Sequence, residues 1–278
     1  MADALEGSTF GTGAWGHPPA DWALGPADVD IWLADVEQHA LAIGRLEALL
    51  ADAEWERVAR YRHDRDRRRF VVVRGLLRAL LGRYIGQPPR SLRFRYGPHG
   101  KPGLTPNGGM VGPHVDIRLD RPDPRLDLRF NVSHSRGRAL FAFARGREVG
   151  VDLEFRRPLP DADAIAGRFF SSGERAALAA LPPEARADAF FSCWARKEAY
   201  IKGTGGGMIT MLRTFDVSLA PGDPPALLAV PSDPSAVERW SLYDPPPIPG
   251  YAAALAVEGR GLALRCFTCG PALLNVMG

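Results

Sequence analysis

A mixed α+β fold is predicted by three features of the 278-residue sequence. From about Ala53 to Tyr84 the chain is helical in character, and its second half, Phe70-Val71-Val72-Val73 through Leu80-Leu81, is apolar enough to be buried. From Phe191 to Gly203 a second amphipathic helix repeats Trp194, Glu198 and Lys202 every four residues, which puts them on one face, and glycines then stop it. Around these helices lie short segments of strand character, separated by turns rich in Pro and Gly. The length admits one large domain or two modest ones, with enough chain to bury a sizeable core.

Taken in order, residues 1–28 are rich in Gly, Pro and Ala and carry acids where a secretory leader would carry basic residues. They are expected to be an irregular N-terminal extension without a secretory signal. Val29 to Asp35 looks like a first strand, and Gln38 to Leu50 like a helix or helical turn ahead of the long helix. Leu92 to Tyr96 alternates as a strand does, Gly97 to Pro102 is a turn, and residues 104–128 are expected to form a long loop. Ala139–Ala144 and Val149–Phe155 make a plausible hairpin about the turn Arg145–Glu148. Ser171 and Glu174 have the spacing of a capping box opening a helix to Leu181, which Pro182-Pro183 ends. A further helix begins near Glu184 and leads into the amphipathic one. Thr214–Ser218, Ala226–Val230, Trp240–Tyr243, Tyr251–Val257 and Leu262–Phe267 follow as successive strands, and no sequence repeat is visible.

Composition narrows the class. Apolar residues make up 46% and charged residues 24%, as in a globular protein, and a formal charge of +3 gives no general argument for nucleic acid. No apolar run reaches membrane-spanning length. Three cysteines, Cys193, Cys266 and Cys269, suit a reducing compartment such as the cytoplasm. Cys266-Phe267-Thr268-Cys269 has metal or redox spacing but no second pair to complete a four-ligand site, so these two read as buried small residues.

Three stretches could carry chemistry. In Gly150-Val151-Asp152-Leu153-Glu154, strand periodicity projects Asp152 and Glu154 from the same side. If Glu198 reaches the same place, three carboxylates surround one point, a hard-oxygen site suited to magnesium. Otherwise the acids merely keep an edge strand soluble, and Glu198 and Lys202 form a helix-surface ion pair. Phe130-Asn131-Val132-Ser133-His134-Ser135-Arg136-Gly137 follows a possible strand and ends in turn residues. It is either a plain polar turn or a set of hydroxyl and imidazole donors for a phosphate. The arginines Arg57, Arg60, Arg62, Arg65, Arg67, Arg68, Arg69, Arg74 and Arg78 read mostly as a solvated helix face with Asp64 and Asp66 as partners, although guanidinium groups match phosphates well.

The order of Asn131-Val132-Ser133-His134-Ser135, Gly150-Val151-Asp152-Leu153-Glu154, Phe169-Phe170-Ser171 with Glu174, and Trp194 through Lys197-Glu198-Ala199 to Lys202-Gly203 resembles the Sfp-type 4′-phosphopantetheinyl transferases, over roughly residues 30–218. The resemblance implies two similar α+β halves related by a pseudo-twofold, 29–149 and 150–278, with the active site in the cleft between them. It implies transfer of the 4′-phosphopantetheine arm of coenzyme A to a serine of an acyl or peptidyl carrier protein of fatty acid, polyketide or nonribosomal peptide synthesis, with release of adenosine 3′,5′-bisphosphate. Asp152, Glu154 and Glu198 would hold Mg2+, Glu198 would be the base on the serine directly or through water, and Lys202 would neutralise the leaving phosphate. Ser133 and His134 would anchor coenzyme A phosphates, with Arg57 and then Arg69 as further contacts by position. Lys101, in the Gly-Lys-Pro of the family, would approach the nucleotide end. A cytoplasmic monomer that binds neither nucleic acid nor membrane is the corresponding expectation. Two readings from other classes are a metal-dependent phosphohydrolase or nuclease built on the same acids and basic helix, and a nucleic-acid-binding module that uses the arginines alone.

Overall fold

The structure is a computed structural model that describes residues 14–19, 22–105, 127–206, 209–270 and 273. The chain begins with β1 (Asp28–Asp35) and passes through α1 (Val36–Ala40), α2 (Ile43–Glu47) and α3 (Asp52–Ala59) into α4 (Asp64–Ile85). A small strand pair, β2 (Phe94–Tyr96) with β3 (Pro102–Leu104), precedes a hairpin of β4 (Leu128–Ser135) and β5 (Arg138–Arg145). Then come β6 (Val149–Phe155), α5 (Ala162–Phe169), α6 (Ser172–Ala180) and α7 (Pro183–Thr204). The chain continues with β7 (Asp216–Val217), β8 (Leu227–Ala229), α8 (Ala236–Arg239), β9 (Trp240–Tyr243), β10 (Tyr251–Glu258) and β11 (Ala263–Thr268). The fold is mixed α+β, with a four-stranded sheet ordered β11-β1-β5-β4 and a three-stranded sheet ordered β6-β10-β9.

Each sheet buries one face under a long helix and the other against its neighbour. Val71, Val72, Leu76, Leu80 and Leu81 of α4 pack with Trp32, Phe130, Phe141 and Phe143 of the first sheet. Phe191, Ala195 and Ala199 of α7 pack with Ala252, Ala254 and Ala256 of β10. Between the sheets, Val29, Ile31, Leu140 and Ala142 meet Val149, Val151, Leu153, Leu255 and Val257. Alternation along β1 and β6 therefore serves two cores, and the even-numbered residues of β6, Asp152 and Glu154 among them, are turned away from the inter-sheet layer.

Four features depart from what periodicity predicts. The long helix expected from about Ala53 to Tyr84 breaks at residues 60–63, where Arg67 donates to the Tyr61 carbonyl at 2.9 Å. The break lets α3 fold back so that Glu54 meets Arg78 at 2.6 Å and Arg74 at 3.3 Å, and no Gly or Pro marks it. The hairpin expected over 139–155 does not form, because β5 pairs with β1 and β4 while β6 pairs with β10. Asn131 to Ser135 are strand rather than turn, and the reversal falls on Arg136 and Gly137, with φ of 41° and 84°. Finally β11 crosses the boundary expected near residue 149 and lies parallel to β1, where Arg265 reaches the buried Asp30 at 2.6 Å. Of the expected loop over 104–128, residues 106–126 lie outside the described residues, as do 1–13, 20 and 21 of the extension. Trp22 and Leu24 of the extension pack on the first core, Trp22 lying 4.9 Å from Trp32 and 4.6 Å from Tyr84 between ring centroids, whereas Trp15 packs against the inter-sheet layer.

β6 is an edge strand, yet its outward amides are not left to water. Val151 N donates to Asn131 Oδ1 at 2.9 Å, Leu153 N to Ser133 Oγ at 3.3 Å and Phe155 N to Ser135 Oγ at 3.1 Å. Alternate side chains of β4 thus stand in for a backbone ladder and join the two sheets edge to face. On its other side β6 lies against α7 so closely that a Cβ on Gly150 would sit 2.1 Å from the Ala199 carbonyl oxygen and 2.2 Å from Gly203 N. Because the obstacles are backbone atoms, Gly150→Ala is expected to cost about 3 kcal/mol or more. Urea denaturation at one pH, compared with wild type, measures it, and an unchanged midpoint would contradict this packing.

Candidate active site

Asp152 is the centre of the polar cluster above β6. It is 2% exposed; its Oδ1 accepts from Ser133 Oγ at 2.9 Å and from Lys202 Nζ at 2.5 Å, and its Oδ2 is buried with no hydrogen-bond partner. Lys202 also donates to Ser133 Oγ at 3.0 Å. The hydroxyl of Ser133 is therefore engaged inside the protein by Asp152, Lys202 and Leu153 N.

Glu154 and Glu198 complete the cluster. Burial raises the Glu154 carboxyl to about 7, helped by the negative charge of Asp152 and Glu198 and opposed by Lys202 and Arg157. Glu198 is likewise raised by burial first and then by Asp152, with Lys202 opposing. Three carboxylates thus sense one another around one nearby ammonium, residual negative charge that suits a divalent cation. As they stand, no three His, Cys, Asp or Glu side chains among the described residues come close enough together to hold a metal ion. The donor set and the orphaned, buried Asp152 Oδ2 nevertheless fit a hard cation such as Mg2+.

The register of α7 is set from behind. Between Ala189 and Gly203 most side chains are buried, whereas Trp194, Glu198 and Lys202 form a half-buried stripe. Lys197, next to Glu198 but fully buried, donates to Glu174 at 2.6 and 2.7 Å and to the Phe215 carbonyl at 2.6 Å. Glu174 also closes the capping box with Ser171 and accepts from Val217 N at 2.9 Å. Arg196 is held by Asp244 and by the Ser218 carbonyl at 2.7 Å. With those two cations held inside, the α-helical period leaves Glu198 and Lys202 directed at β6. Trp194 belongs to packing, edge-to-face with Phe169 and stacked on Phe190.

The basic residues separate into two groups. Arg57, Arg69, Arg74 and His134 line one recess of about 210 Å³ with Pro102 and Val132, and that recess shares Arg57, Tyr61 and Phe70 with an adjoining cleft of about 870 Å³. Arg57 lies over the Phe70 ring, 5.1 Å from its centroid, and Arg69 pairs with Asp66 at 2.8 Å. His134 is exposed, and its imidazole is held below its ordinary value by the protein around it and then by the Arg69 and Lys202 charges. Lys101 lies on the far side of Pro102, in another recess of about 540 Å³ with Thr204 and Gly205. Its Nζ donates to Glu148 and to the Gly203 carbonyl, both at 2.6 Å, and burial lowers its pKa. Sequence reasoning missed Glu148 as the partner of Lys101, and missed Asn131 and Ser135 as supports of β6. The signal for the latter was a polar residue at every second position of a strand whose other face is apolar.

A strand-borne carboxylate pair, a Glu and a Lys one turn apart on the facing helix and an arginine-lined recess are groups that suit chemistry at a phosphate. A family profile described as the 4′-phosphopantetheinyl transferase superfamily matches residues 148–256. The 4′-phosphopantetheinyl transferase HetI of Nostoc sp. is 35% identical over 247 residues, 89% of this chain and 94% of its own. A putative 4′-phosphopantetheinyl transferase of Synechocystis sp. is 36% identical over 178 residues, 64% of this chain and 65% of its own. Sfp of Bacillus subtilis, also named a 4′-phosphopantetheinyl transferase, is 29% identical over 175 residues, 63% of this chain and 69% of its own. The chain belongs to the 4′-phosphopantetheinyl transferase superfamily. It is a transferase that moves phosphopantetheine from coenzyme A to a carrier protein.

Two outcomes test the site's electrostatics. Lys197→Met should destabilise the protein by about 3–5 kcal/mol, as removal of one partner from a buried ion pair does, whereas Arg239→Met, on an exposed pair with Asp233, should leave the denaturation midpoint close to that of wild type; chemical denaturation compares them. For Glu154, a folded value raised above 4.5 means that its protonation favours the fold. That contribution is complete below the unfolded value and is withdrawn as pH rises through about 7. In chelator, Glu154→Gln should therefore gain Tm relative to wild type between about pH 5 and pH 8, and parallel Tm profiles would refute the shift.

Proposed function

We propose that the acceptor is a serine hydroxyl of an acyl or peptidyl carrier protein, that adenosine 3′,5′-bisphosphate leaves, and that the reaction needs Mg2+ held by Asp152, Glu154 and Glu198. The observation that carries this is the buried, unpartnered Asp152 Oδ2 beside two further carboxylates of raised pKa. When bound, Mg2+ would neutralise charge on the pyrophosphate of coenzyme A.

The chain's own residues supply the rest. Glu198, with its carboxyl held above the ordinary value, is the acceptor for the serine proton as the oxygen bonds to the β-phosphorus and the bond to the bridging oxygen breaks. Lys202, 30% exposed, is the cation within reach of the charge that develops on the leaving phosphate. Arg57, Arg69 and His134 line a recess fit for the phosphates at the nucleotide end. Lys101 would support that end through the turn it ties to the C-terminus of α7, and Ser133 would hold Asp152 in place.

The two halves, 29–149 and 150–278, each carry a 22-residue helix on the outer face of a sheet, which favours a pseudo-twofold with the site between them. We place the enzyme in the cytoplasm as a monomer. No helix among the described residues is long and apolar enough to cross a membrane.

Incubation with coenzyme A, Mg2+ and a panel of apo carrier proteins should add about 340 daltons to one serine, a covalent modification seen by intact mass. Asp152→Ala and Glu198→Ala should lose that gain while keeping wild-type circular dichroism. Arg57→Ala or Arg69→Ala should raise the KM for coenzyme A about tenfold, the loss of one charged hydrogen bond to phosphate. Turnover retained in Asp152→Ala, or phosphopantetheine released without a carrier protein, would overturn the assignment.

A further inference from the structure

We infer that Asn131 and Ser135 are positioning residues for the carboxylates of β6, acting through the backbone amides on either side of each acid. The inference rests on the proposed metal role of Asp152 and Glu154.

Strand alternation makes the argument. The amides of Val151, Leu153 and Phe155 are capped by Asn131, Ser133 and Ser135, and the acids occupy the two positions between those caps. Asp152 is flanked by the Asn131 and Ser133 caps, and Glu154 by those of Ser133 and Ser135. The peptide unit that follows Asp152 is thus oriented by Ser133 and the one that follows Glu154 by Ser135, while Asn131 fixes the unit one residue ahead of Asp152. β6 pairs through its backbone on one side only, with β10, so on the β4 side these caps are what fixes its pitch and height. The backbone contact with α7 falls at Gly150, near one end of β6 and short of both acids.

The three caps differ in a way that allows them to be tested. Ser133 touches Asp152 and Lys202 directly, so its substitution would change the site by contact. Asn131 and Ser135 have no hydrogen bond to Asp152, Glu154, Glu198 or Lys202, and can affect the acids only through the strand. Asn131 is 5% exposed, so losing its carbonyl strands a buried donor that must find another partner by moving. Ser135 is half-buried, and water can replace its oxygen more readily.

The test is direct binding of Mn2+ alone, followed by the electron paramagnetic resonance signal of the free ion, on wild type, Asn131→Ala, Ser135→Ala, Ser135→Thr and Asp152→Ala. Asn131→Ala should weaken Mn2+ binding about tenfold, as loss of a group that orients a ligand does. Ser135→Ala should weaken it less, and Ser135→Thr, which keeps the hydroxyl, should restore it. Coenzyme A affinity measured in chelator should be unchanged in Asn131→Ala, Ser135→Ala and Ser135→Thr, since neither side chain lines the arginine recess. If Asn131→Ala does not fold, the Ser135 pair carries the test. Wild-type Mn2+ binding by Asn131→Ala and Ser135→Ala, with binding lost in Asp152→Ala, overturns this inference and leaves the metal reading intact. Wild-type binding by Asp152→Ala overturns both.

Discussion

The approach of α7 to β6 at Gly150 and Gly203 is the constraint from which the site follows. The acids come from two places about fifty residues apart in sequence, and only a helix lying almost on the strand's backbone can bring Glu198 and Lys202 over Asp152. Any side chain at position 150 would enter the Ala199 carbonyl, and one at 203 would meet Trp240 at 2.6 Å. Glycine serves here by lacking a Cβ rather than by adopting an unusual backbone angle. The depth of the contact also buries Asp152, and beside it the Glu154 carboxyl is raised to about 7, first by its own burial and then by the Asp152 charge.

Depth alone would not orient the helix. The Glu174–Lys197 pair does so, since a fully buried ammonium must have its three donors satisfied, and here two carboxylate oxygens and the Phe215 carbonyl satisfy them. A rotation of α7 that turned Glu198 away would drag Lys197 out of that pocket and leave Glu174 buried without its cation. The same carboxylate caps α6 and ties β7, so one residue coordinates three elements behind the site. Specificity of register, more than net stability, is the physical reason for an ion pair in such a place.

What was legible in the sequence follows the range of the interactions concerned. Period-two and period-four spacings placed Asp152 with Glu154 and Glu198 with Lys202, because those relations are local. Pairing is a long-range choice, so the segment from 139 to 155 read as one hairpin although its turn carries the chain from one sheet to the other. The break at residues 60–63 has no signal in the sequence, because an arginine bond to the Tyr61 carbonyl stands there instead of a helix breaker. The polar half of β4 reads equally as a turn or as phosphate donors, because both of its faces are used, an apolar one for α4 and a hydrogen-bonding one for β6. Lys101 carried a familiar local motif, yet its tie to Glu148 and to the end of α7 depends on how the two halves meet.

The pairing of Lys202 with Asp152 then has a definite physical sense. A buried carboxylate is costly without a cation nearby, and Lys202 provides one for Asp152 from a flexible four-carbon stem that is 30% exposed. It occupies only one carboxylate oxygen and leaves Oδ2 without a partner, an arrangement that is costly unless another donor or cation completes it. A divalent ion shared with Glu154 and Glu198 would supply that charge and reduce the hold of Asp152 on the ammonium. Lys202 would then be available to a phosphate oxygen, one turn from the carboxylate proposed to take the serine proton. The same side chain can thus balance the buried acid in one state and the leaving group in the other, because the charge it answers to has moved by only the width of the site.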